Sequence, residues 1–277
     1  MAAPEWAPPG VDISRPSVAR VYDCYLGGKD NFAVDREVVA QTKEIFPPDW
    51  DAARGGLDNR AFLRRVVRYL VVEAGIRQFI DFGSGLPSQG NVHEIAQDIA
   101  PQARVVYVDN DPIVLVHARA LLGNTETTRV ITADLRRPVD ILTHPAVRDF
   151  VDLSRPLGLL LFAILHHIND ADDPGDIAAR LRSMMTPGSY LAISHFCNPG
   201  AAYPEDAARA DMCEKIFNEK LGTGRWRTSD EISSYFGDLT MIEPGLVPLP
   251  EWRPELGDDL TVHPTYRLFL GGVARKG

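Results

Sequence analysis

One segment constrains the fold more than any other, because the apolar run Phe79-Ile80-Asp81-Phe82 leads directly into Gly83-Ser84-Gly85. A second apolar run, Val105 to Val108, ends on Asp109, which lies 24 residues after Gly85. Glycine lets a backbone approach a ligand closely, and a carboxylate at the end of the next strand accepts hydrogen bonds from ribose hydroxyls. The two runs therefore predict a parallel α/β sheet with a site for a ribose-bearing cofactor.

The glycine loop favours S-adenosylmethionine (SAM) over a dinucleotide. A dinucleotide loop has Gly-x-Gly-x-x-Gly or a final Ala, whereas this chain has Ser88 at the third position and Pro87 before it. Asp81 lies two residues before the first glycine, where it would repel a pyrophosphate and attract the ammonium of an amino-acid moiety. SAM carries such an ammonium and a sulfonium, and it has no phosphate. An NAD-linked oxidoreductase and a pair of ordinary strand-to-helix turns are the alternatives.

Three stretches resemble a known family. Asp81 to Gly85 and Val108 to Pro112 resemble the first two motifs of class I SAM-dependent methyltransferases. The N-terminal stretch from Arg20 to Phe32, RVYDCYLGGKDNF, resembles a bacterial S-adenosyl methyltransferase subfamily of unassigned substrate. The resemblance extends from about Arg15 to the C-terminus. The chain departs from the family pattern at Pro87, which stands where the usual class I loop has a third glycine. It implies a Rossmann-like sheet of seven strands, mostly parallel with an antiparallel edge, with helices on both faces and an N-terminal helical lid.

The hydrophobic pattern alternates between strands and helices, which is typical of a parallel sheet wrapped by helices. The predicted strands lie near 78–82, 104–108, 129–133, 157–164 and 189–195, followed by two more over 239–247 and 266–274. The predicted helices lie near 90–99, 112–122, 142–152, 174–185 and 205–220. Upstream, 17–42 is predicted to be helical with a break at Gly27-Gly28, and 58–74 an amphipathic helix with Arg64, Arg65 and Arg68 on its outer face.

These patterns predict three regions. Residues 1–14 form a flexible tail, and 15–75 form the helical lid region. Residues 76–277 form the SAM-binding methyltransferase domain, with a helical insertion near 198–236. The insertion is predicted because the stretch after the fifth strand, beginning at Asn198-Pro199-Gly200, is unlike a simple crossover.

Composition excludes several classes of protein. The chain has 277 residues, of which 45% are hydrophobic and 24% charged, as in globular proteins. A net charge of −9 disfavours a nucleic-acid partner, which usually needs a basic surface. Three cysteines without a C-x-x-C pair favour a reducing cytoplasm over a disulfide framework or a zinc site. No apolar run approaches the roughly 20 residues of a membrane span, and the N-terminus lacks the pattern of a signal peptide.

The candidate cofactor residues follow the strand ends. Glycine-loop backbone would face the methionine part of SAM, Asp109 would take the ribose hydroxyls, and Asp134 with its neighbouring backbone would meet the adenine. Asp134 is alternatively a turn or cap residue. The candidates in this group are Asp81, Gly83, Ser84, Gly85, Asp109, Asn110, Asp134, Leu135, Phe162 and Ala163.

A second group of cofactor candidates lies in the N-terminal stretch: Tyr22, Tyr25, Gly27, Gly28 and Asn31. Aromatic rings beside a Gly-Gly hinge suit a lid over a sulfonium, because a ring face attracts a cation. Packing of the tyrosines within an N-terminal helix explains the spacing equally well. The subfamily resemblance favours the cofactor pocket.

His166 and His167 follow the fourth predicted strand, at the edge of the sheet where ligands bind. Either histidine is a candidate general base on an oxygen or nitrogen nucleophile. The favoured alternative is a pair that shapes the site without moving a proton, since methyl transfer depends more on proximity and alignment than on acid-base help. Adjacent histidines without a third ligand do not indicate a metal site.

Tyr203, Arg225 and Trp226 lie in the predicted insertion and are the candidate substrate residues. An aromatic ring flanked by arginines suits a planar or anionic substrate. A surface loop with one anchoring tryptophan is the alternative. The sequence thus predicts a methyltransferase that transfers the methyl group of SAM to a small molecule, with a non-catalytic SAM-binding module as the alternative.

Overall fold

The structure is a computed structural model, and it describes residues 11–86, 90–121 and 125–277. Pro87, Ser88 and residues 1–10 of the predicted tail lie outside these ranges. The described strands are β1 (Gln78–Phe82), β2 (Arg104–Asp109), β3 (Thr128–Thr132), β4 (Gly158–Phe162), β5 (Tyr190–Phe196), β6 (Thr240–Met241), β7 (Val247–Pro248) and β8 (Phe269–Arg275).

These strands form one mixed sheet in the order β3-β2-β1-β4-β5-β8-β6, with β7 also paired to β8. Strands β1 to β5 are parallel, whereas β8 runs antiparallel to β5, β6 and β7. The predicted fold class, a mostly parallel sheet with an antiparallel edge, is confirmed. The first and second strands lie side by side, so their carboxyl ends meet at one edge of the sheet.

The described sheet has eight strands where seven were predicted. The predicted strand over 239–247 is instead two short strands, β6 and β7. Gly245 lies between them with φ of +92°, and its N–H donates to Ile242 O at 2.8 Å. This turn interrupts the extended chain, and each half pairs with a different part of β8.

The described helices, omitting single 3-10 turns, are α1 (Val18–Tyr25), α2 (Ala33–Lys43), α3 (Arg54–Val72), α4 (Val92–Ile99), α5 (Pro112–Leu121), α6 (Pro138–Thr143), α7 (Pro145–Arg148), α8 (Pro174–Ser183), α9 (Pro204–Leu221) and α10 (Ser229–Ser234). The predicted helix over 142–152 is instead two short helices, α6 and α7, and the chain beyond Arg148 is not helical. His144 has an extended ψ of 131° before Pro145, and a residue before proline avoids the helical region.

Two apolar clusters cover the two faces of the sheet. Successive residues of β4 point alternately into the two clusters: Leu159 and Leu161 belong to one, and Leu160 and Phe162 belong to the other. This alternation is what a strand buried on both faces requires. Helix α8 packs into the first cluster and α3 into the second.

Helix α3 corrects one expectation. Arg65 was predicted on a basic outer face, yet it is buried. Its guanidinium donates to Trp252 O at 2.8 Å and to Leu249 O at 2.7 Å. The guanidinium satisfies carbonyl oxygens of the chain before β8, so α3 is fixed to the sheet through polar as well as apolar contacts.

The N-terminal helices pack against the predicted insertion. Val21, Val38 and Val39 of α1 and α2 form a small cluster with Ile216 and Leu221 of α9. The break between α1 and α2 lies at Gly27-Gly28, where it was predicted. The division into a tail, a lid region and a domain stays a prediction. No helix within the described ranges is long and apolar enough to cross a membrane.

Candidate active site

A cavity of about 510 Å³ opens at the carboxyl ends of β1, β2, β3, β4 and β5. Its lining includes residues of α1, α3 and α9 as well as the strand ends, so the N-terminal helices and the insertion wall it on the side away from the sheet. Small-molecule sites typically measure roughly 300–1,000 Å³. The cavity therefore has room for small ligands and too little for a macromolecule.

The glycine loop forms part of the cavity wall. Gly83 and Gly85 have φ of +65° and +66°, in the left-handed region that favours glycine. A Cβ on Gly83 would lie 2.4 Å from Ile164 Cγ1, whereas a Cβ on Gly85 would meet no atom within 4 Å. Gly83 therefore lets the loop pack closely against the chain after β4. The absence of a side chain on Gly85 leaves open space at the cavity wall.

Asp109 ends β2 and is held by backbone donors. Gly85 N donates to its Oδ2 and Asp111 N to its Oδ1, both at 2.9 Å. Its side chain is buried, and burial raises its pKa. The loop and the carboxylate are thus joined directly. Asn110, the next residue, also lines the cavity.

Asp81 lines the cavity and is 6% exposed. Burial raises the pKa of its carboxyl to about 7, while the positive charge of Arg60 acts to lower it. Arg60 comes from α3 and lines the same cavity. An acidic and a basic side chain therefore line the same cavity as the glycine loop, as a zwitterionic ligand would require.

Asp134 and Leu135 line the cavity after β3. Arg136 Nε donates to Asp134 Oδ1 at 3.0 Å and its Nη2 to Oδ2 at 2.6 Å, so these hydrogen bonds lower the pKa of Asp134. The carboxylate is held in place as an ion. Ser84 and Phe162 also lie on the cavity wall.

A chain of hydrogen bonds connects the N-terminal helix to the floor of the cavity. Ala163 has φ of +53°, and its N–H donates to Ser194 Oγ at 2.9 Å. Ser194 Oγ donates to Asn59 Oδ1 at 2.6 Å, and Asn59 Nδ2 donates to Tyr22 Oη at 3.1 Å. Tyr22 in turn donates to Gly56 O at 3.2 Å. This network holds Ala163 in a strained conformation beside the cavity.

Among the N-terminal candidates, only Tyr22 and Tyr25 line the cavity. Gly27, Gly28 and Asn31 instead form a tight turn around Asp23. Asn31 Nδ2 donates to Asp23 Oδ2 at 2.9 Å, and a Cβ on Gly28 would lie 1.9 Å from Asp23 Oδ1. The structure thus places these three residues in a turn that joins α1 to α2, away from the cavity wall.

His166 and His167 lie in a 3-10 turn after β4, and both line the cavity. Phe196 N donates to His166 Nδ1 at 3.1 Å, so the Nε2 of a neutral His166 carries the proton. His166 Nε2 and His167 Nδ1 are buried without a partner among the described residues. Burial lowers the pKa of His166 well below its usual 6.5 and that of His167 to about 3. Both rings are therefore neutral near pH 7.

The three substrate candidates separate in the structure. Trp226 lines the cavity and stacks on Phe196 with ring centroids 4.2 Å apart. Tyr203 is exposed and stacks against the guanidinium of Arg267, outside the lining. Arg225 also lies outside the lining, where it pairs with Glu214 at 3.3 Å.

Many lining residues were not singled out by the sequence analysis, and five of them matter for the argument below: Phe46, Trp50, Asn59, Arg60 and Phe196. Four of them lie between α2 and the middle of α3, far from any glycine motif. No spacing marks them as functional. Only Phe196, as the last residue of β5, could have been found from the rule that ligands bind at strand ends.

Comparison with solved structures places the fold among methyltransferases. A protein of Thermobifida fusca with a provisional methyltransferase assignment is 43% identical, with a TM-score of 0.89 over 98% of both chains. A DUF574 family protein from Streptomyces avermitilis is 37% identical, with a TM-score of 0.87 over 96% of this chain and 99% of that one. An O-methyltransferase family 2 protein from Planctomyces limnophilus, 15% identical with a TM-score of 0.51 over 93% of this chain and 65% of that one, shares the fold alone.

A comparison with protein families covers nearly the whole chain, including the residues that line the cavity. No curated protein matches the chain. The family model described as S-adenosyl methyltransferase matches residues 4–277, which include the glycine loop, Asp109 and both histidines. The expected cofactor and reaction class are thereby confirmed: the protein is a SAM-dependent methyltransferase, and it belongs to the S-adenosyl methyltransferase family.

Proposed function

We propose that the protein transfers the methyl group of SAM to a small-molecule nucleophile, in the cytoplasm of a bacterium. The observation behind this proposal is that one cavity is lined by the glycine loop, by Asp109 and by a group of aromatic side chains. Its size favours a small acceptor over a nucleic acid. The bacterial sources of the two similar structures and the three free cysteines support the proposed setting.

The residues present fit SAM. Gly85 leaves open space where a side chain would obstruct a ligand, and Asp109 is aimed from β2 by two backbone donors. Asp81 and Arg60 offer opposite charges to the ammonium and carboxylate of an amino-acid moiety. Asp109 would accept hydrogen bonds from the ribose hydroxyls, and Asp134 with Leu135 would meet the adenine.

When bound, SAM supplies an electrophilic methyl group: the nucleophile forms the new bond to the methyl carbon, the bond from that carbon to sulfur breaks to leave S-adenosylhomocysteine (SAH), and an O–H or N–H nucleophile also releases its proton. The chain's own part is to align the two reactants and exclude water. Tyr22 and Tyr25 would cover the cofactor from α1, and Phe162 and Ala163 would support it from β4. We assign His166 and His167 a positioning role through neutral hydrogen bonds, because a pKa of about 3 for His167 makes it a weak base at pH 7.

Calorimetric titration with SAH, with NAD as a parallel ligand, tests the cofactor half of the proposal. We expect SAH to bind and NAD not to bind. Binding of NAD alone would overturn the assignment of Asp81 to an ammonium. For the transfer itself, methyl-labelled SAM incubated with pools of small molecules should yield a labelled product, and label found only in nucleic acid would contradict a small-molecule acceptor.

A further inference from the structure

The charged side chains of the cavity wall are confined to one end. Five of them lie at or just after the ends of β1, β2 and β3, Asp172 follows β4 and lies 3.8 Å from Arg136, and Arg60 comes from α3. The charged lining residues are Arg60, Asp81, Asp109, Asp111, Asp134, Arg136 and Asp172. Since β5 lies beyond β4 in the sheet order, the other end of the cavity is separated from most of these charges.

The other end is built from rings, and we call it the aromatic compartment. Its members are Phe46, Trp50, His166, Phe196, Phe217 and Trp226. Phe196 stacks on His166 with centroids 3.5 Å apart and on Trp226 at 4.2 Å, while Phe46 stacks on Trp50 at 4.0 Å. Stacked rings fix one another, so the compartment is formed before a ligand enters. Flat, apolar walls favour a planar aromatic ligand.

Two donors in this compartment have no acceptor. Trp50 Nε1 and His166 Nε2 are buried and unpartnered among the described residues. A buried donor without an acceptor is costly, and nearly all such groups in folded proteins are paired. Both side chains line the cavity, so a ligand with hydrogen-bond acceptors would supply the missing partners.

The compartment contains no ion. Its one histidine, His166, and the adjacent His167 are neutral near pH 7, and the remaining members carry no titratable group. The nearby ions Arg225 and Glu214 pair with each other outside the lining. Placing an unpaired charge in such surroundings is unfavourable. The compartment therefore selects against charged acceptors.

We propose that the methyl acceptor is an uncharged, planar aromatic compound with hydrogen-bond acceptors, held in the aromatic compartment by donation from Trp50 Nε1 and His166 Nε2. This inference rests on the proposed function, because the acceptor must lie beside the cofactor. It names the substrate class, and of the planar or anionic ligand suggested by the arginines of the insertion it keeps only the planar one.

Three probes of similar size test the proposal by calorimetry, each titrated into protein saturated with SAH. The probes are 2-naphthol, which is planar and uncharged at pH 7, 2-naphthoate, which is planar and anionic, and decahydro-2-naphthol, which is uncharged and saturated. We expect 2-naphthol to bind at least tenfold more tightly than either of the others. Equal affinities, a preference for another probe, or no binding of any probe would overturn the substrate class.

A matched pair of variants tests the donor. Trp50→Phe keeps a ring and removes its N–H, and Trp252→Phe makes the same change at a buried, unpartnered Nε1 outside the cavity lining. We expect Trp50→Phe to weaken 2-naphthol binding about fivefold and Trp252→Phe to leave it within twofold. Equal effects of the two variants would remove Trp50 from the proposal. If either variant fails to fold, the ranking of the three probes on the wild-type protein still decides the substrate class.

The SAH titration described above distinguishes failure of the proposed function from failure of the substrate class. If SAH does not bind, the proposed function fails and the inference fails with it. If SAH binds and 2-naphthol is not preferred, the proposed function stands and only the aromatic substrate class is overturned.

Discussion

The two ends of the cavity are built in opposite ways. The charged end is made mostly of residues at or just after the ends of β1, β2 and β3. Backbone donors hold the carboxylate of Asp109, and Arg136 holds that of Asp134. The aromatic compartment is assembled from the chain after α2, the end of β5 and the region of α9, whose rings hold one another by stacking.

This difference in construction suggests that the charged end binds the cofactor and the aromatic compartment binds the methyl acceptor. A strand end fixes the position of a carboxylate through local backbone geometry, so the charged end suits a ligand that is the same throughout a family. Rings brought together from distant segments depend on how the helices pack, so that end suits a ligand that differs between relatives. Substitutions at five positions test whether the two ends are independent.

The largest effect is expected at Asp109. Asp109→Ala should weaken SAH binding by about 100-fold, because two hydrogen bonds to a charged acceptor contribute roughly 1.5 kcal/mol or more each. Asp109→Asn keeps an acceptor for the loop and should lose about tenfold. Calorimetry measures both, with the exposed Asp98→Ala as the control. Unchanged affinity in the alanine variant would show that Asp109 is not the ribose ligand.

The two loop glycines should respond differently. Gly85→Ala adds a Cβ in open space of the cavity wall and should weaken SAH binding about tenfold, as an obstructing methyl group costs roughly 1 kcal/mol or more. Gly83→Ala adds a collision with Ile164 to the strain of a positive φ, so it should lower the melting temperature more than Gly85→Ala. Calorimetry and thermal unfolding separate the effects, and equal melting temperatures would contradict the packing role of Gly83.

Asp81 should make SAH binding depend on pH. The pKa of its carboxyl is about 7, and the ammonium needs the ionised form, so affinity should fall by up to tenfold per pH unit below 7. Asp81→Asn should bind weakly with no such dependence. A steep dependence in the asparagine variant would assign the titration to another group.

The same pKa sets a trend in stability. Because folding raises the pKa of Asp81, its ionised form destabilises the fold at pH 7 and above, and this penalty disappears as the pH falls towards 4. Asp81→Asn should therefore raise the melting temperature more at pH 8 than at pH 5. An equal gain at both values would show that the carboxyl is not titrating in this range.

The smallest effect on the cofactor is expected from the aromatic compartment. Trp226 stacks on Phe196 and packs near Phe217, both of which belong to the aromatic compartment. Trp226→Leu should change SAH affinity by less than about threefold, since it removes no group that faces the cofactor. A much larger loss in calorimetry would mean that the two ends form one coupled site.

The charged end could be predicted from the sequence because the motifs that mark it are each contained within a few residues. An apolar run followed by Gly83-Ser84-Gly85, and another ending on Asp109, fix both the strands and the edge where they meet. The same reasoning placed Gly27, Gly28 and Asn31 in the pocket, whereas they form a turn around Asp23. Glycine spacing predicts a tight bend, but it does not tell which face of the bend meets a ligand.

By itself the sequence determined the fold class, the family, the cofactor and the strand ends that carry its candidate ligands, since each follows from periodicity or from a motif within a few residues. Only the tertiary structure decided that the charge of Arg60 acts on Asp81 and that Arg225 pairs with Glu214 outside the cavity lining. It also decided that, among the described residues, the donors of Trp50 and His166 have no partner. These facts depend on contacts between segments far apart in the chain, where side-chain packing sets the position and no local pattern records it.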